Sequence, residues 1–273
     1  MIRFFIYLLL GLIQGIAEVL PISSSGHLVL IGNLLGVEEQ NLTFEVFLHL
    51  ASLLAIFIYL RKPIIQLIKG TWNYVFHREP TGKKAFQTLL MMVISTLPIV
   101  LFTVLIRNIG YTYSPLFVIG ICFIGNALMI FFLSRKKVLY PRTELNVKDA
   151  GIIGVFQCIG VFPGISRSGS CLSGAFSRKL DKEVAADYAF LLFIPAALGA
   201  FVLEIPEMGA LLKLDSASLA CYLASFCVAF VATYLSFSLL KKLIVKEKFY
   251  YFAYYCLILG ILTIIYSCWK GWI

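Results

Sequence analysis

Glu18 and Arg167 are charged side chains set in strongly apolar sequence, the first in QGIAEVLPISSSGHL (residues 14–28), the second in QCIGVFPGISRSGSC (residues 157–171). Gln14 and Glu18 lie four residues apart, on one face of a helix. Pro21 ends that helix. Ser23, Ser24, Ser25, Gly26 and His27 follow as a polar turn, and a second helix starts near Leu28. In the other stretch Pro163 and Gly164 stop a helix, and Ser166, Arg167, Ser168, Gly169 and Ser170 make the equivalent turn. If the two tips meet, one cavity gathers a carboxylate, an imidazole, several hydroxyls, the amide donors of two helix starts and a guanidinium. Helix-start amides and an Arg fork together form an anion site suited to phosphate. Ser23, Ser25, Ser166, Ser168, Gly169 and Gln14 are the candidate contacts to it. Glu18, His27 and Ser24 supply acid–base or nucleophilic capacity. A carboxylate beside phosphate oxygens also suits a hard divalent cation such as Mg²⁺. The combination points to phosphate-ester or diphosphate chemistry.

Plainer roles compete with these. Gln14 can be a helix–helix hydrogen bonder, and each Ser can be a cap or a small packing residue. A structural Glu18–Arg167 ion pair is the strongest alternative, and it is compatible with function. His49, on an apolar helix at 44–60, reads as structural, and His77, in a basic loop, as solvated.

The two stretches align without a gap. Gln14 falls on Gln157, Ile22 on Ile165, Ser23 on Ser166, Ser25 on Ser168 and Gly26 on Gly169, while Glu18 faces Val161 and Ser24 faces Arg167. This is an internal repeat whose copies differ at the charged positions.

The surroundings are a membrane. The chain has 273 residues, 60% of them hydrophobic and 14% charged, where soluble chains carry about 25% charged residues. Runs near 44–60, 86–106, 115–134, 187–204, 218–240 and 249–268 have spanning length. Segments 1–35 and 150–176 are apolar but interrupted by Gly, Pro and Ser. The net charge of +9 is therefore read loop by loop and not as nucleic-acid binding. Six basic residues fall in 61–85, five in 135–149, three in 177–187 and four in 241–248, eighteen of the 23. Loops 36–45, 107–114 and 205–217 carry only Arg107 and Lys213. Basic loops belong in the cytoplasm. Because 135–149 and 177–187 then share a side, the segment between them enters and leaves by one face.

The expected fold is all-α and integral to the membrane: six transmembrane helices plus two re-entrant helical hairpins, in an inverted-topology repeat. The chain reads as one membrane domain, 1–273, with repeat halves 1–134 and 150–268. Broken helices meeting near mid-bilayer are how many transporters build a central site. The seven Cys lie in or beside apolar segments without a CxxC pair and read as packing residues. No small-x-small site follows the first apolar run, so residues 1–18 are expected to stay on the mature chain.

On these motifs the sequence resembles the undecaprenyl-diphosphate phosphatase family, the bacitracin-resistance type of bacterial membrane phosphatase. Its (E/Q)xxxE motif stands here as QGIAE, its Ser-rich turn as ISSSGH, and its PGxSRSxxT motif as PGISRSGSC, with Cys171 at the usual Thr. The resemblance implies hydrolysis of undecaprenyl diphosphate to undecaprenyl phosphate and phosphate, which recycles the lipid carrier of cell-wall synthesis. It implies a multi-pass protein of the bacterial plasma membrane whose site opens to the outer face. By motif position Glu18 is the key carboxylate and Gln14 its less acidic partner. His27 and Ser24 are the catalytic or nucleophile candidates, and Arg167 with Ser166 holds phosphate. The family's association with divalent metal implies Mg²⁺ or Ca²⁺ at Glu18 and Gln14. The partners implied are a polyprenyl diphosphate lipid and membrane lipids. A homodimer is compatible with the sequence, which does not fix the oligomeric state. The rival function is a transporter or flippase of the polyprenyl phosphate carrier, in which the same Arg and Ser bind phosphate without cutting it.

Overall fold

The computed structural model describes residues 2–36, 42–108, 115–135, 140–205, 209 and 215–271. These residues are helical almost throughout, and their one β feature is an isolated bridge between Arg142 and Leu180. In chain order the helices are α1 (Ile2–Val19), α2 (Ser24–Leu35), α3 (Leu42–Tyr59), α4 (Arg61–Phe76), α5 (Lys83–Asn108), α6 (Leu116–Ser134), α7 (Val147–Ile159), α8 (Arg167–Ser177), α9 (Lys182–Glu204), α10 (Ser216–Val245) and α11 (Tyr251–Trp269).

Among the described residues five helices are long and apolar enough to cross a membrane, or up to six if the bent pair α3–α4 is one span. The all-α, multi-pass expectation therefore stands. α1 itself is among the five, although the sequence makes it one arm of a hairpin. It packs against both α2 and α10. Of loops 36–45, 107–114 and 205–217, residues 37–41, 109–114, 206–208 and 210–214 lie outside the described residues, as do Lys136 and Lys137.

The segment 61–85, expected as a loop, is mostly helix. α4 bends 69° away from α3 at Leu60. Arg61, Lys62 and Lys69 gave it the charge density of a loop, yet Ile65, Ile68, Trp72 and Phe76 recur at helical spacing on its exposed side.

Both interrupted segments fold as helix–turn–helix pairs because side chains supply the caps. Ser23 caps α2 and Ser166 caps α8, each accepting from the third amide onward, Gly26 and Gly169. α7 opens with a capping box in which Asn146 and Asp149 each accept the other's amide. The two pairs are held in the bundle alike. α1 packs on α10 and α7 on α5. A Cβ on Gly11 would lie 2.5 Å from the Ser225 carbonyl oxygen, and one on Gly154 would lie 2.7 Å from that of Ser95. Only glycine permits this approach at either place.

Candidate active site

The two turns meet, and the contacts between them are polar. Ser23 Oγ accepts from Gly164 N at 3.0 Å, across the hairpins. Asn126, on α6, joins both tips: its Nδ2 donates to the Pro21 carbonyl at 2.9 Å and its Oδ1 accepts from Ser166 N at 3.2 Å. The hydroxyls of Ser166 and Ser168 each reach the Leu20 carbonyl at 3.4 Å. Gly26 sits at the point of closest approach, where a Cβ would fall 2.8 Å from Gly164 N and 2.7 Å from Phe123 Cζ. Gly164 adopts φ 99°, a backbone conformation that side-chain-bearing residues rarely hold.

Beside the joined tips is a cavity of about 570 Å³. Glu18, Ser23, Ser24, Ser25, Glu45, His49, Ser166 and Arg167 form its polar part. Ile99, Val100, Val104, Ala196, Leu198 and Val202 form an apolar wall. Ser24 Oγ donates to Glu18 Oε2 in a short hydrogen bond. Gln14 Nε2 donates to the same oxygen at 2.9 Å and lies 3.3 Å from His49 Nδ1. His49 Nε2 is 3.9 Å from Glu18 Oε2. Arg167 makes no hydrogen bond or ion pair with the described residues; its guanidinium carbon lies 5.4 Å over the Phe193 ring. The structural ion pair between Glu18 and Arg167 is thus not formed. Both charges face one space, the cation with its donor fork free. The first-turn amides of Ser24 and Ser25 in α2, and of Arg167 and Ser168 in α8, are donors without helical acceptors.

Of the residues singled out from sequence, Glu18, Ser23, Ser24, Ser25, Ser166 and Arg167 come together at the cavity. Gln14 is fully buried behind Glu18. Ser168 is turned to the Leu20 carbonyl, and the Gly169 amide is taken by Ser166 Oγ, so these two build the turn. His27 is not part of the lining. Its Nδ1 is 2.7 Å from the Ser23 carbonyl and its Nε2 is 2.6 Å from the Tyr255 hydroxyl, with the two rings stacked. Cys171 is buried in the main apolar cluster, away from the cavity lining. The usual Thr at that position is therefore not a donor lost from the cavity.

Sequence reasoning passed over Glu45, Asn126 and Tyr255, and it read His49 as structural, whereas His49 lines the cavity. Glu45 and His49 did carry a signal, since they stand four apart on α3 as Gln14 and Glu18 do on α1. Asn126 is a lone amide in an apolar helix, and nothing in its spacing announces two partners from distant turns.

A model of the family described as bacitracin resistance protein BacA matches residues 7–262. The chain belongs to that family. Among similar proteins, the undecaprenyl-diphosphatase of Oceanobacillus iheyensis is 36% identical over 265 residues, 95% of each chain. The undecaprenyl-diphosphatase of Thermosipho africanus is 39% identical over 258 residues, 94% of this chain and 98% of its own. That of Methanosphaera stadtmanae is 37% identical over 275 residues, 95% and 96% of the two. BacA family membership thus extends over both turns and the cavity between them.

Proposed function

We propose that this chain hydrolyses undecaprenyl diphosphate to undecaprenyl phosphate and inorganic phosphate. The observation that carries the reading is the Ser24–Glu18 hydrogen bond beside the guanidinium of Arg167, whose donors have no hydrogen-bond acceptor among the described residues. A hydroxyl bonded to a carboxylate is a nucleophile with its base in place. A free fork and helix-start amides form the electrostatic cradle that phosphoryl transfer needs. Ser24 Oγ attacks the terminal phosphorus and its proton passes to Glu18. The bond from that phosphorus to the bridging oxygen breaks, and undecaprenyl phosphate leaves. Water then displaces the phosphoryl group from Ser24, returning a proton to its oxygen and releasing phosphate. Arg167 and the α8 amides hold the phosphoryl oxygens throughout, and the apolar wall of α5 and α9 takes the first isoprene units. His27 holds the Ser23–Ser24 turn from behind. A transporter of the carrier needs the anion clamp alone and gives no reason for the Ser24–Glu18 bond.

A divalent cation fits this cavity only as a shared guest. Among the described residues no three His, Cys, Asp or Glu gather as a metal cage. Glu18 and Glu45 nonetheless face the same space, and the buried Gln14 Oε1 has no partner among the described residues. Mg²⁺ is characteristically held by one or two carboxylates plus substrate phosphate oxygens, and Glu18 and Glu45 are that pair here. When bound it would neutralise charge on the diphosphate.

The arrangement we infer is six spans with two re-entrant hairpins, halves 1–134 and 150–268 being inverted copies of one another. The like pairing of α1 with α10 and α7 with α5 supports it. So does the matched contact of Gly11 and Gly154. The cavity is lined by the start of α3 and the ends of α5 and α9, the helix ends that join the loops poor in Lys and Arg. That supports an opening on the outer face of a plasma membrane. Phosphate release by the purified protein given undecaprenyl diphosphate, with and without chelator, tests the activity. Single cysteines in a Cys-free background test the orientation: Thr81→Cys should resist an impermeant reagent added outside, and Ser216→Cys should react. Equal labelling would sink the inverted arrangement.

A further inference from the structure

At the far end of the α7–α8 hairpin lies a second pocket, of about 260 Å³, lined by Arg142, Ser177, Arg178 and Lys179. α8 runs eleven residues from Arg167 to Ser177, which puts this pocket about 15 Å along the helix from the tip. Its cations are fixed in place. Asp149 is fully buried, and its Oδ1 accepts from Arg142 Nη2 at 2.8 Å and from Arg178 Nε at 2.9 Å. Arg142 Nη2 also donates to the Arg178 carbonyl at 2.9 Å. The backbones are tied as well: Arg142 N donates to the Lys179 carbonyl at 2.9 Å, and Asp181 N to the Arg142 carbonyl at 2.8 Å. Two chain segments 36 residues apart are thus clamped so that their guanidiniums share one carboxylate.

That carboxylate uses only part of what it orients. Both terminal nitrogens of Arg178, and Nε and Nη1 of Arg142, have no partner among the described residues. The ammonium of Lys179, an exposed residue at φ 60°, has none among them either. Ser177 Oγ donates to the Gly174 carbonyl. Three cations against one carboxylate, with free forks held rigid before any ligand arrives, is the chemistry of a phosphate cradle. Basic pockets at the membrane-facing ends of helices are where anionic headgroups dock.

We propose that the Arg142–Ser177–Arg178–Lys179 pocket binds a phosphate-bearing anion, distinct from the substrate site at Glu18 and Arg167. The shared chemistry is a phosphate group, supplied either by an anionic lipid headgroup or as the free ion.

The test uses the full-length protein carrying Arg167→Gln, which removes the guanidinium of the other cavity. In the lipid arm, native mass spectrometry counts phosphatidylglycerol retained from nanodiscs that also contain phosphatidylcholine. In the free-ion arm, inorganic phosphate is titrated against detergent-purified protein by phosphorus NMR line broadening. One bound anion is expected in one of the arms, and the arm that shows it names the source. Arg178→Lys keeps the charge and loses the fork, and it should weaken binding about tenfold. Lys179→Asn tolerates positive φ and breaks no protein contact, so it reports on the pocket even if Arg178→Lys fails to fold. It too should weaken binding. Binding in either arm that is indifferent to both substitutions, or no binding in either arm, overturns the proposal.

Discussion

Ser24 hydrogen-bonds Glu18 across the break between α1 and α2, so the turn that interrupts the first helix also joins a hydroxyl to its carboxylate. If that pair is nucleophile and base, Ser24→Ala and Glu18→Gln should each abolish phosphate release while the protein still binds the diphosphate lipid. Glu18→Gln preserves shape and removes the proton acceptor. Acid-quenched wild type should carry a phosphoryl group on the peptide containing Ser24. Near wild-type turnover in Ser24→Ala would hand the attack to water.

Arg167 lies over the Phe193 ring and, among the described residues, makes no hydrogen bond or ion pair, Glu18 included. A bidentate clamp predicts that Arg167→Lys stays impaired, since ammonium keeps the charge without the fork. Losing one strong transition-state contact costs roughly 10²- to 10³-fold in kcat. Steady-state kinetics with the diphosphate lipid check this, and full activity in the Lys variant would show that a point charge suffices.

The two histidines exchange the roles their sequence context suggests. His49 reaches the Gln14–Glu18 pair, whereas His27 is buried against Tyr255 and the Ser23 carbonyl. His49→Ala should lower kcat about 10- to 100-fold, the scale on which losing an outer partner that orients a functional side chain is felt. Tyr255→Phe removes the hydroxyl at His27 Nε2 and should leave the shape of the pH–rate profile unchanged, because His27 then acts only through the turn. A displaced profile in Tyr255→Phe would make His27 a proton-transfer group.

Glu18 and Arg167 were legible from sequence because a charge in apolar surroundings has few reasons to exist. The repeat also made their asymmetry visible: Val161 and Ser24 stand where a packing role would have placed the same residue twice. Asn126 was not legible, since its partners lie 40 and 105 residues away and only the closed bundle brings them together; His49 carried only its four-residue spacing from Glu45, and its contact with the Gln14–Glu18 pair likewise forms only in the closed bundle. α4 was misread because three cations outweighed an apolar stripe in a short helix that bends out of the bundle.

Asp149 makes stability depend on acid. It lies outside the spanning helices. Burial alone would raise its carboxyl, but hydrogen bonds from Arg142, Arg178 and the Asn146 amide outweigh burial and hold it below the usual carboxylate range. The unfolded chain therefore binds this proton more readily than the folded one. The stabilisation is fully present above the ordinary value of about 3.9 and is lost as pH falls below it. Thermal melts in detergent should show a midpoint that drops below about pH 4, and Asp149→Asn should flatten that limb. Asp149→Asn also gives up charge-assisted hydrogen bonds from two partly exposed guanidiniums, so it should melt lower at neutral pH as well. An unchanged acid limb would assign it to other carboxylates.

Gly26 tests whether contact between the two tips is needed for turnover. A Cβ there meets Phe123 Cζ at 2.7 Å and Gly164 N at 2.8 Å. The ring is the end of a side chain, but the amide is backbone already engaged by Ser23 Oγ at 3.0 Å. Overpacking of this kind costs about 1–3 kcal/mol, so Gly26→Ala should melt lower and lose phosphate release. The two obstacles separate in a double variant. Phe123→Leu makes room on the ring side and leaves the Gly164 backbone where it was. Gly26→Ala with Phe123→Leu should therefore regain part of the lost melting temperature without regaining turnover. The methyl would still part Ser23 from Gly164 and draw Ser24 and Glu18 away from Arg167. Turnover that returns together with stability would mean the tips serve only to hold the fold.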